Sequence, residues 1–210
     1  MYSKFKQAVY QKLIPLIRFW KYLSWNYYLN TTDSINLIVG AGPFKFKGWF
    51  STDIATLDVT NENHFKKYFK DKKINKILAE HVLEHLTDEE LKLMVKHLYK
   101  YSADDINIRI AVPDGYHSNL EYLELVKPGG SGDGAEDHKH LFNYKTLSLI
   151  FEKQGFVSYL KEYWDEEGEF RTTYFDDNYG TIRRSFIRSG DLLLMIIEIK
   201  IRFLTIHLLL

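Results

Sequence analysis

The spacing between a glycine turn and the next acidic residue constrains this sequence more than any other feature. An apolar run, Ile35–Val39, ends at Gly40-Ala41-Gly42, and a second apolar pair, Trp49 and Phe50, is soon followed by Asp53. In an α/β sheet, this order places a close backbone approach beside a carboxylate that can bind the hydroxyl groups of a sugar. The stretch therefore predicts a pocket for a nucleotide-type cofactor.

The same spacing limits the choice of cofactor. A dinucleotide fingerprint has a third glycine that opens a helix and an acid about 20 residues further on. Here Pro43 follows Gly42 directly, Asp53 lies only 11 positions after Gly42, and the sequence contains no Gly-Lys-Ser/Thr motif for a nucleoside triphosphate. S-adenosylmethionine, which has ribose hydroxyls and no phosphate, fits what remains. We expect Asp53 at the ribose, the glycine backbone at the amino-acid moiety and Asp58 at the adenine edge.

Strand-like and helix-like segments alternate along the rest of the chain. Apolar runs predict strands at residues 56–59, 74–79, 106–112, 156–164 and 170–175. Periodic apolar positions predict helices at residues 61–70, 88–101 and 146–153, the second of them preceded by a capping box at Thr87. This order predicts an α/β fold, a mostly parallel sheet of about six or seven strands flanked by helices.

The first connection between strands is unusually short. The chain from Gly42 to Trp49 cannot form the usual crossover helix, because a parallel crossover takes about a dozen residues or more. We therefore predict a shortened first crossover and expect the basic amphipathic segment 1–30 to cover the exposed sheet face, burying Trp20 and Trp25. A second interpretation of this segment, weak contact with a membrane surface, stays open.

Six sequence motifs occur together in residues 34–188: Val-Gly-Ala-Gly-Pro, Gly-Trp-Phe-Ser-Thr-Asp-Ile, Ala-Glu-His-Val-Leu-Glu-His-Leu, Arg-Ile-Ala-Val-Pro-Asp-Gly, Asp-His-Lys-His-Leu-Phe-Asn-Tyr and Phe-Glu-Lys-Gln-Gly-Phe. As a set they resemble a family of predicted class I S-adenosylmethionine-dependent methyltransferases. The resemblance implies a Rossmann-like sheet with the cofactor over the carboxyl ends of the strands. It assigns cofactor binding to seven residues: Gly40, Ala41, Gly42, Asp53, Asp58, Glu80 and His81.

Methyl transfer to a hydroxyl group needs in-line positioning and a base that takes the hydroxyl proton. The acidic and histidine cluster at residues 136–140 lies in a long loop after a strand, at the end of the sheet where this fold binds ligands. We predict His138 as the base, oriented by Asp137 or Asp114, and we include Asp114 and His140 among the catalytic residues. The alternative is that the cluster is a structural hydrogen-bond network that holds the loop.

A second motif suggests a different chemistry. His81, Glu84 and His85 match the His-x-x-Glu-His pattern of inverted zinc proteases, which places two histidines on one helical face. Because the pattern begins where a strand ends, we predict a site without metal and keep a zinc-dependent hydrolase as an alternative. A non-catalytic methyltransferase-like binding module is a further alternative, supported by the short first crossover and an unusual tail.

Charge and composition limit the partners. Lys+Arg and Asp+Glu number 28 each, so no net field attracts nucleic acid, and we expect a small-molecule or glycan-type acceptor. The chain has no cysteine, which excludes thiolate chemistry and suits the reducing cytoplasm where we expect the protein to work. The oligomeric state stays open.

The chain divides into three predicted segments. Residues 1–30 form the amphipathic segment, residues 31–188 the methyltransferase domain, and residues 189–210 an apolar tail that is atypical of the family. Alternating charges in the tail after residue 197 predict a half-exposed strand. A shift of the coding frame near the tail, which would leave the sheet edge incomplete, is a hypothesis.

Overall fold

The computed structural model describes residues 2–173 and 194–201. The helices are α1 (Tyr2–Thr31), α2 (Glu62–Phe69), α3 (Asp88–Tyr101), α4 (Leu120–Val126) and α5 (Tyr144–Glu152). The strands are β1 (Ile35–Val39), β2 (Phe50–Ser51), β3 (Ile74–Glu80), β4 (Ser102–Pro113), β5 (Phe156–Trp164), β6 (Phe170–Thr172) and β7 (Leu194–Ile201). Two short 3-10 helices, Leu83–His85 and Ala135–Asp137, follow β3 and α4.

The strands form one seven-stranded sheet in the order β2-β1-β3-β4-β7-β5-β6. β1 pairs in parallel with β2 and with β3, and β3 pairs in parallel with β4. β7 runs antiparallel to β4 and β5, and β6 runs antiparallel to β5. Five strands therefore share one direction, which confirms the predicted α/β class and the mostly parallel sheet. The predicted capping box at Thr87 is also formed and begins α3.

The strand β7 lies in the interior of the sheet, between β4 and β5. Its charged residue Glu198 is only 3% exposed and forms ion pairs with Lys161 and Lys200. The prediction of a half-exposed strand is therefore wrong for residues 195–199, which are buried, because Glu198 is paired with the buried Lys161 of β5; only Lys200 and Ile201 at the end of the described strand are partly exposed. The frame-shift hypothesis predicted an incomplete sheet here, yet the sheet is continuous through β7. Residues 189–193 and 202–210 of the tail lie outside the described residues.

Four helices pack in a row on one face of the sheet. α1 contacts α2, α2 contacts α3, and α3 contacts α5, so their buried side chains share one core with the strands. Trp25 of α1 is fully buried, and its ring centroid lies 4.6 Å from that of Phe50 and 5.9 Å from that of Phe69. The predicted burial of Trp25 is confirmed, but Trp20 is 60% exposed and the prediction for it is wrong.

The opposite face, next to β1, is covered by the short first connection itself. Phe46 and Trp49 from this connection pack against Ile38 and Leu78. The prediction that the N-terminal segment covers this face is therefore wrong. Right-handed crossovers from β1 out to the edge strand β2, and from β2 back to β3, lie on opposite faces of a sheet. α1 packs beside α2, on the face of the second crossover.

Two local predictions also need correction. Residues 56–59, predicted as a strand, form turns in which Leu57 and Val59 are buried. β2 has only two residues and offers too short an edge for a further strand. The long loop after β4 contains α4, which the sequence analysis missed, although the side chain of Asn119 caps its N-terminus.

α1 also carries a row of large apolar side chains that are exposed to solvent. The exposed row consists of Leu16, Phe19, Trp20, Leu23 and Tyr27. At 3.6 residues per turn these positions share one face of the helix, opposite Trp25. In the described part of the chain, no helix combines the length and apolar character needed to cross a membrane. The membrane-surface contact of this segment stays a prediction.

Candidate functional site

The carboxyl ends of the parallel strands lie at one edge of the sheet, where α/β folds bind their ligands. The glycine turn follows β1, Asp53 follows β2, His81 follows β3 and Asp114 follows β4. The backbone N–H of Ala41 donates to the Thr52 carbonyl at 2.9 Å, which joins the first two strand ends directly. The predicted cofactor residues Gly40, Ala41, Gly42, Asp53, Glu80 and His81 therefore lie along this edge.

The glycine turn needs glycine for two different reasons. Gly40 and Gly42 both have left-handed φ values, +59° and +55°, which cost little only in glycine. A Cβ on Gly40 would lie 2.5 Å from Cγ2 of Val82, so the turn packs tightly against the chain after β3. A Cβ on Gly42 would have no heavy atom within 4 Å. The space beside Gly42 is therefore open, whereas the space beside Gly40 is filled by the side chain of Val82.

Asp53 is held from both sides of its carboxylate. Oδ2 forms an ion pair with Nζ of Lys21 from α1. Oδ1 accepts from the backbone N–H groups of Ala55 and Thr56, each at 3.1 Å, and from the Thr56 hydroxyl at 3.0 Å. Partial burial raises the pKa of the Asp53 carboxyl, but Lys21 and Thr56 outweigh this effect and hold the pKa below its usual value. Asp53 is therefore a fixed anion with its orientation set by protein groups.

A cavity of about 240 Å³ lies beside Asp53, beneath α1. It is lined by Lys21, Tyr22, Trp25, Ala55, Thr56 and Tyr68. The indole Nε1 of Trp25 is buried and makes no hydrogen bond within residues 2–173 and 194–201. The cavity therefore combines aromatic walls with the cation of Lys21.

Asp58, predicted at the adenine edge, lies in the turns before α2. Its Oδ1 accepts from the backbone N–H and the hydroxyl of Thr60, at 2.9 and 2.7 Å, and its own N–H donates to Nδ1 of His64 at 3.0 Å. These hydrogen bonds hold the turn that leads into α2. Asp58 is half-buried, and its role toward a cofactor stays a prediction.

The two residues at the end of β3 differ in exposure. Glu80 is 1% exposed, whereas His81 is exposed and has a left-handed φ of +55°. The backbone N–H of His81 donates to the Ala111 carbonyl at 3.0 Å, which extends the pairing of β3 with β4. Its ring Nδ1 lies 3.2 Å from Oε1 of Glu84.

The loop that carries His138 and His140 is tied to Glu84 through the backbone. The N–H groups of Lys139 and His140 both donate to the Glu84 carbonyl, at 2.6 and 3.2 Å. His138 is 8% exposed, and its Nδ1 lies 2.7 Å from the Val126 carbonyl oxygen. The prediction that Asp137 or Asp114 orients this ring is wrong, because the Val126 carbonyl does so. These contacts are compatible with the structural alternative, a hydrogen-bond network that holds the loop, and the catalytic role of His138 stays a prediction.

Asp114 is buried at the start of the same loop. Its two carboxylate oxygens accept from the backbone N–H groups of Tyr116 and Trp164, at 2.9 and 2.8 Å. Burial raises the pKa of the Asp114 carboxyl, and these two hydrogen bonds offset only part of the effect. No hydrogen bond joins Asp114 to His138 in the part of the chain that the structure describes.

His140, the other predicted catalytic histidine, faces away from His138. Its ring stacks on Phe142 with centroids 5.0 Å apart, and its Nε2 lies 3.7 Å from Oδ1 of Asp88 at the start of α3. The structure therefore separates two histidines that the sequence analysis grouped together. Only His138 faces His85, with ring centroids 4.8 Å apart.

Comparison with known proteins identifies the fold. No family model matches the sequence, and no curated protein matches it. A solved S-adenosylmethionine-dependent methyltransferase from Thermotoga maritima, described as a possible histamine N-methyltransferase, matches 93% of this chain and 95% of its own. The identity is 14% and the TM-score is 0.50. The chain has the Rossmann-like fold of class I methyltransferases.

Two further solved structures resemble this methyltransferase fold more weakly. A S-adenosylmethionine-dependent methyltransferase from Archaeoglobus fulgidus is 20% identical, with a TM-score of 0.46 over 92% of this chain and 94% of that one. LepI, solved with S-adenosylhomocysteine and a substrate analogue, is 7% identical with a TM-score of 0.46. That match covers 86% of this chain but only 39% of LepI.

The zinc-protease alternative loses its structural basis in this methyltransferase fold. The His-x-x-Glu-His pattern needs an α-helix that presents both histidines on one face. Here only Leu83–His85 is helical, as a single 3-10 turn, and His81 lies outside it with a positive φ. His81 and His85 therefore do not share a helical face.

One cluster of side chains at this edge of the sheet is not indicated by any single sequence motif. Glu84, His85 and His138 each place a ligand-type atom within 4.8 Å of the others. Glu84 and His85 belong to the zinc-protease pattern, and His138 belongs to the loop motif. Nothing in the sequence near either motif indicates that the two segments are in contact. The contact arises only when the loop folds back on the chain after β3.

Proposed function

We propose that this protein is a S-adenosylmethionine-dependent methyltransferase acting on a small-molecule or glycan-type hydroxyl acceptor. The observation that carries the proposal is the pairing of a glycine turn with the fixed Asp53 carboxylate at adjacent strand ends of a methyltransferase fold. Open space at Gly42 supports close approach of a ligand to the backbone. The neutral charge balance supports a small or glycan-type acceptor rather than nucleic acid.

Each end of the cofactor has proposed partners in this arrangement. The turn formed by Gly40, Ala41 and Gly42 receives the amino-acid moiety, Asp53 binds the ribose hydroxyls, and Asp58 lies toward the adenine. Glu80 and His81, at the end of β3, line the methyl donor. When bound, S-adenosylmethionine supplies an electrophilic methyl group on a sulfonium. The protein residues orient the acceptor in line with it and exclude water.

His138 is the proposed base for the acceptor hydroxyl. A carbonyl oxygen only accepts, so the contact with Val126 requires a proton on Nδ1 of His138. In the neutral ring this leaves a lone pair on Nε2, the form that a base needs. Asp114 and His140 stay predicted members of the site, and the hydrogen bonds of Asp114 favour a positioning role for it.

Calorimetric titration of S-adenosylmethionine into the full chain tests the proposed pocket. Asp53→Ala removes a charged acceptor for the ribose hydroxyls, and we expect binding to weaken by roughly 1.5–3 kcal/mol. Asp104→Ala is the matched control, because Asp104 is an exposed acid near the amino-terminal end of β4. The control is expected to bind as the wild type does, and unchanged binding by Asp53→Ala would refute the pocket.

A second control separates the ribose contact from the ion pair. Lys21→Met removes the Lys21 contact to Asp53 but leaves the carboxylate in place. If Asp53 contacts the ribose, Lys21→Met keeps its affinity or gains some. If Lys21→Met and Asp53→Ala lose the same affinity for S-adenosylmethionine, the loss comes from the changed packing of α1. That result would contradict a contact between Asp53 and the ribose.

The binding-module alternative makes a different prediction in the same titration. A non-catalytic partner protein with this fold does not bind S-adenosylmethionine, so a flat titration of the wild type favours it. We place the protein in the cytoplasm on the absence of cysteine from its sequence. Weak membrane-surface contact through residues 1–30 remains part of the proposal and is supported by the exposed apolar row of α1.

A further inference from the structure

Three side chains from two distant segments converge beside the carboxyl ends of β3 and β4. Glu84 and His85 belong to the 3-10 helix after β3, and His138 belongs to the loop after α4. One oxygen or nitrogen ligand atom from each lies within 4.8 Å of the other two. Glu84 and His138 are buried and His85 is half-buried, so the cluster is inside the protein surface rather than on it.

The carboxylate of Glu84 gives the cluster an unsatisfied charge. Its side chain is fully buried, and neither oxygen has a hydrogen-bond partner among the described residues. His81 Nδ1 lies 3.2 Å from Oε1, but the contact lacks the alignment of a hydrogen bond. A buried carboxylate without partners is costly, and such groups are normally paired or bound to a metal ion.

Neighbouring oxygen atoms contact Nδ1 of both histidines in the cluster, as oxygen atoms commonly do in metal-binding histidines. The Val126 carbonyl accepts from Nδ1 of His138 at 2.7 Å, which leaves the Nε2 lone pair available. Asp137 Oδ2 lies 3.7 Å from Nδ1 of His85. Metal-ligating histidines usually have a carbonyl or carboxylate on the other ring nitrogen. The two backbone hydrogen bonds to the Glu84 carbonyl hold the loop that carries His138 against this position.

We propose that Glu84, His85 and His138 form a binding site for a divalent transition-metal ion of the zinc type. Two imidazoles and one carboxylate are a known donor set for zinc and for other first-row divalent ions. Ligands at about 2.0–2.2 Å from a tetrahedral zinc lie roughly 3.3–3.6 Å apart. The present spread of up to 4.8 Å is wider than this, so zinc binding requires the three side chains to move closer together.

The site goes beyond the proposed methyl transfer, and zinc binding does not require it. Both roles use the Nε2 lone pair of His138, so His138 does not act as the base while zinc is bound. Its ligand set differs from the zinc-protease pattern, because His138 from the loop replaces His81. It also departs from the prediction of a site without metal. Three protein ligands leave a fourth position open, as in catalytic zinc sites rather than closed structural ones.

The test is zinc titration by calorimetry into the full chain, prepared without a polyhistidine tag and treated with a chelator. We expect one zinc ion per chain, and no binding of magnesium at the same concentrations, because imidazole ligands favour zinc. His138→Gln and Glu84→Gln remove one ligand each while keeping similar size. Each is expected to weaken zinc binding by at least about 10-fold.

Two control variants make the assignment specific. His140→Gln changes a histidine in the same loop whose ring faces Asp88, and it is expected to retain zinc. His64→Gln changes a histidine of α2 whose Nδ1 accepts from the backbone N–H of Asp58, and it is also expected to retain zinc. Circular dichroism of the metal-free variants checks that they fold. If Glu84→Gln does not fold, the zinc affinity of His138→Gln alone decides the test. Absence of zinc binding by the wild type, or unchanged binding by a folded His138→Gln, overturns the site.

Discussion

Gly40 and Gly42 differ in their surroundings although their backbone angles are nearly the same. Both have φ values near the left-handed minimum, so the conformational reason for glycine applies equally to both. Only Gly40 faces a neighbour, Cγ2 of Val82, at a distance that no Cβ tolerates. The pair therefore separates the cost of backbone strain from the cost of a steric clash.

We predict that Gly40→Ala destabilises the protein more than Gly42→Ala. A non-glycine residue in this conformation costs about 1–2 kcal/mol in either position, and overpacking against Val82 adds about 1–3 kcal/mol for Gly40. Urea unfolding followed by circular dichroism measures both. The double variant Gly40→Ala with Val82→Ala should recover most of the added cost. Equal losses in the two single variants would contradict the close packing.

At the scale of elements, β7 shows how burial changes the meaning of a charge pattern. Glu198 accepts from Asn107 Nδ2 at 2.7 Å, and its carboxylate lies 2.8 Å from Lys200 Nζ and 3.2 Å from Lys161 Nζ. Burial raises the pKa of the Glu198 carboxyl, but the hydrogen bonds from the two lysines outweigh it and lower the pKa below its usual value of 4.5. β4, β5 and β7 are therefore joined by one ionic cluster.

We predict an acid-dependent contribution of Glu198 to stability. A carboxyl whose pKa is lower in the folded state stabilises the protein above its unfolded pKa. That stability is lost as the pH falls from about 4.5 through the lower folded pKa. Glu198→Gln should cost about 3–5 kcal/mol at pH 7, because it removes the buried carboxylate from its ion pair with the buried Lys161. Its difference from the wild type should shrink below pH 4.

Urea unfolding of the wild type and Glu198→Gln between pH 3 and 7 measures this difference. Glu89→Gln is the control, because Glu89 forms an exposed ion pair with Lys92 on α3, and exposed pairs contribute little. A constant difference between the wild type and Glu198→Gln across this pH range would contradict the assigned role.

Most elements could be predicted from the sequence because their signals are local. The capping box at Thr87 and the periodicity of α3 appear within a few residues, and both are confirmed. The strand predicted at residues 56–59 failed because pairing needs a neighbouring edge, which local apolarity does not supply. The exposure of β7 was mispredicted for a similar reason, since its lysine partner Lys161 comes from a different strand.

At the scale of the whole molecule, α1 is part of the core at one turn and exposed at the next. Trp25 is fully buried, whereas Trp20, five residues earlier, is 60% exposed. The two tryptophans share one helix and one residue type. Substituting each of them therefore measures how much the packing of α1 on the core contributes to the free energy of unfolding.

We predict that Trp25→Ala destabilises the protein by about 3–5 kcal/mol, the usual cost of removing a large buried aromatic side chain. Trp20→Ala should change the free energy of unfolding by less than about 0.5 kcal/mol, because exposed side chains contribute little. Urea unfolding measures both variants at pH 7. A similar effect of the two substitutions would mean that α1 does not dock through Trp25.

The candidate site was predictable only where its residues follow strands that are close in the sequence. The glycine turn and Asp53 are brought together by two neighbouring strands, and the sequence spacing indicates that directly. Lys21 reaches Asp53 from 32 residues away, and His138 reaches Glu84 through a loop whose path no motif encodes. Contacts between distant segments depend on the whole fold, so one sequence does not reveal them.

The ion pair between Lys21 and Asp53 has a thermodynamic consequence for how the protein responds to its surroundings. It joins the exposed apolar row of α1 to the carboxylate proposed for the ribose. Coupling between two binding events is reciprocal by necessity. If a ligand at Asp53 displaces Lys21, it removes one contact of α1, and any change of α1 that breaks the same contact then alters the affinity for that ligand by the same free energy. Binding of a ligand at Asp53 and binding of a surface by α1 would then be thermodynamically coupled through the Lys21–Asp53 ion pair.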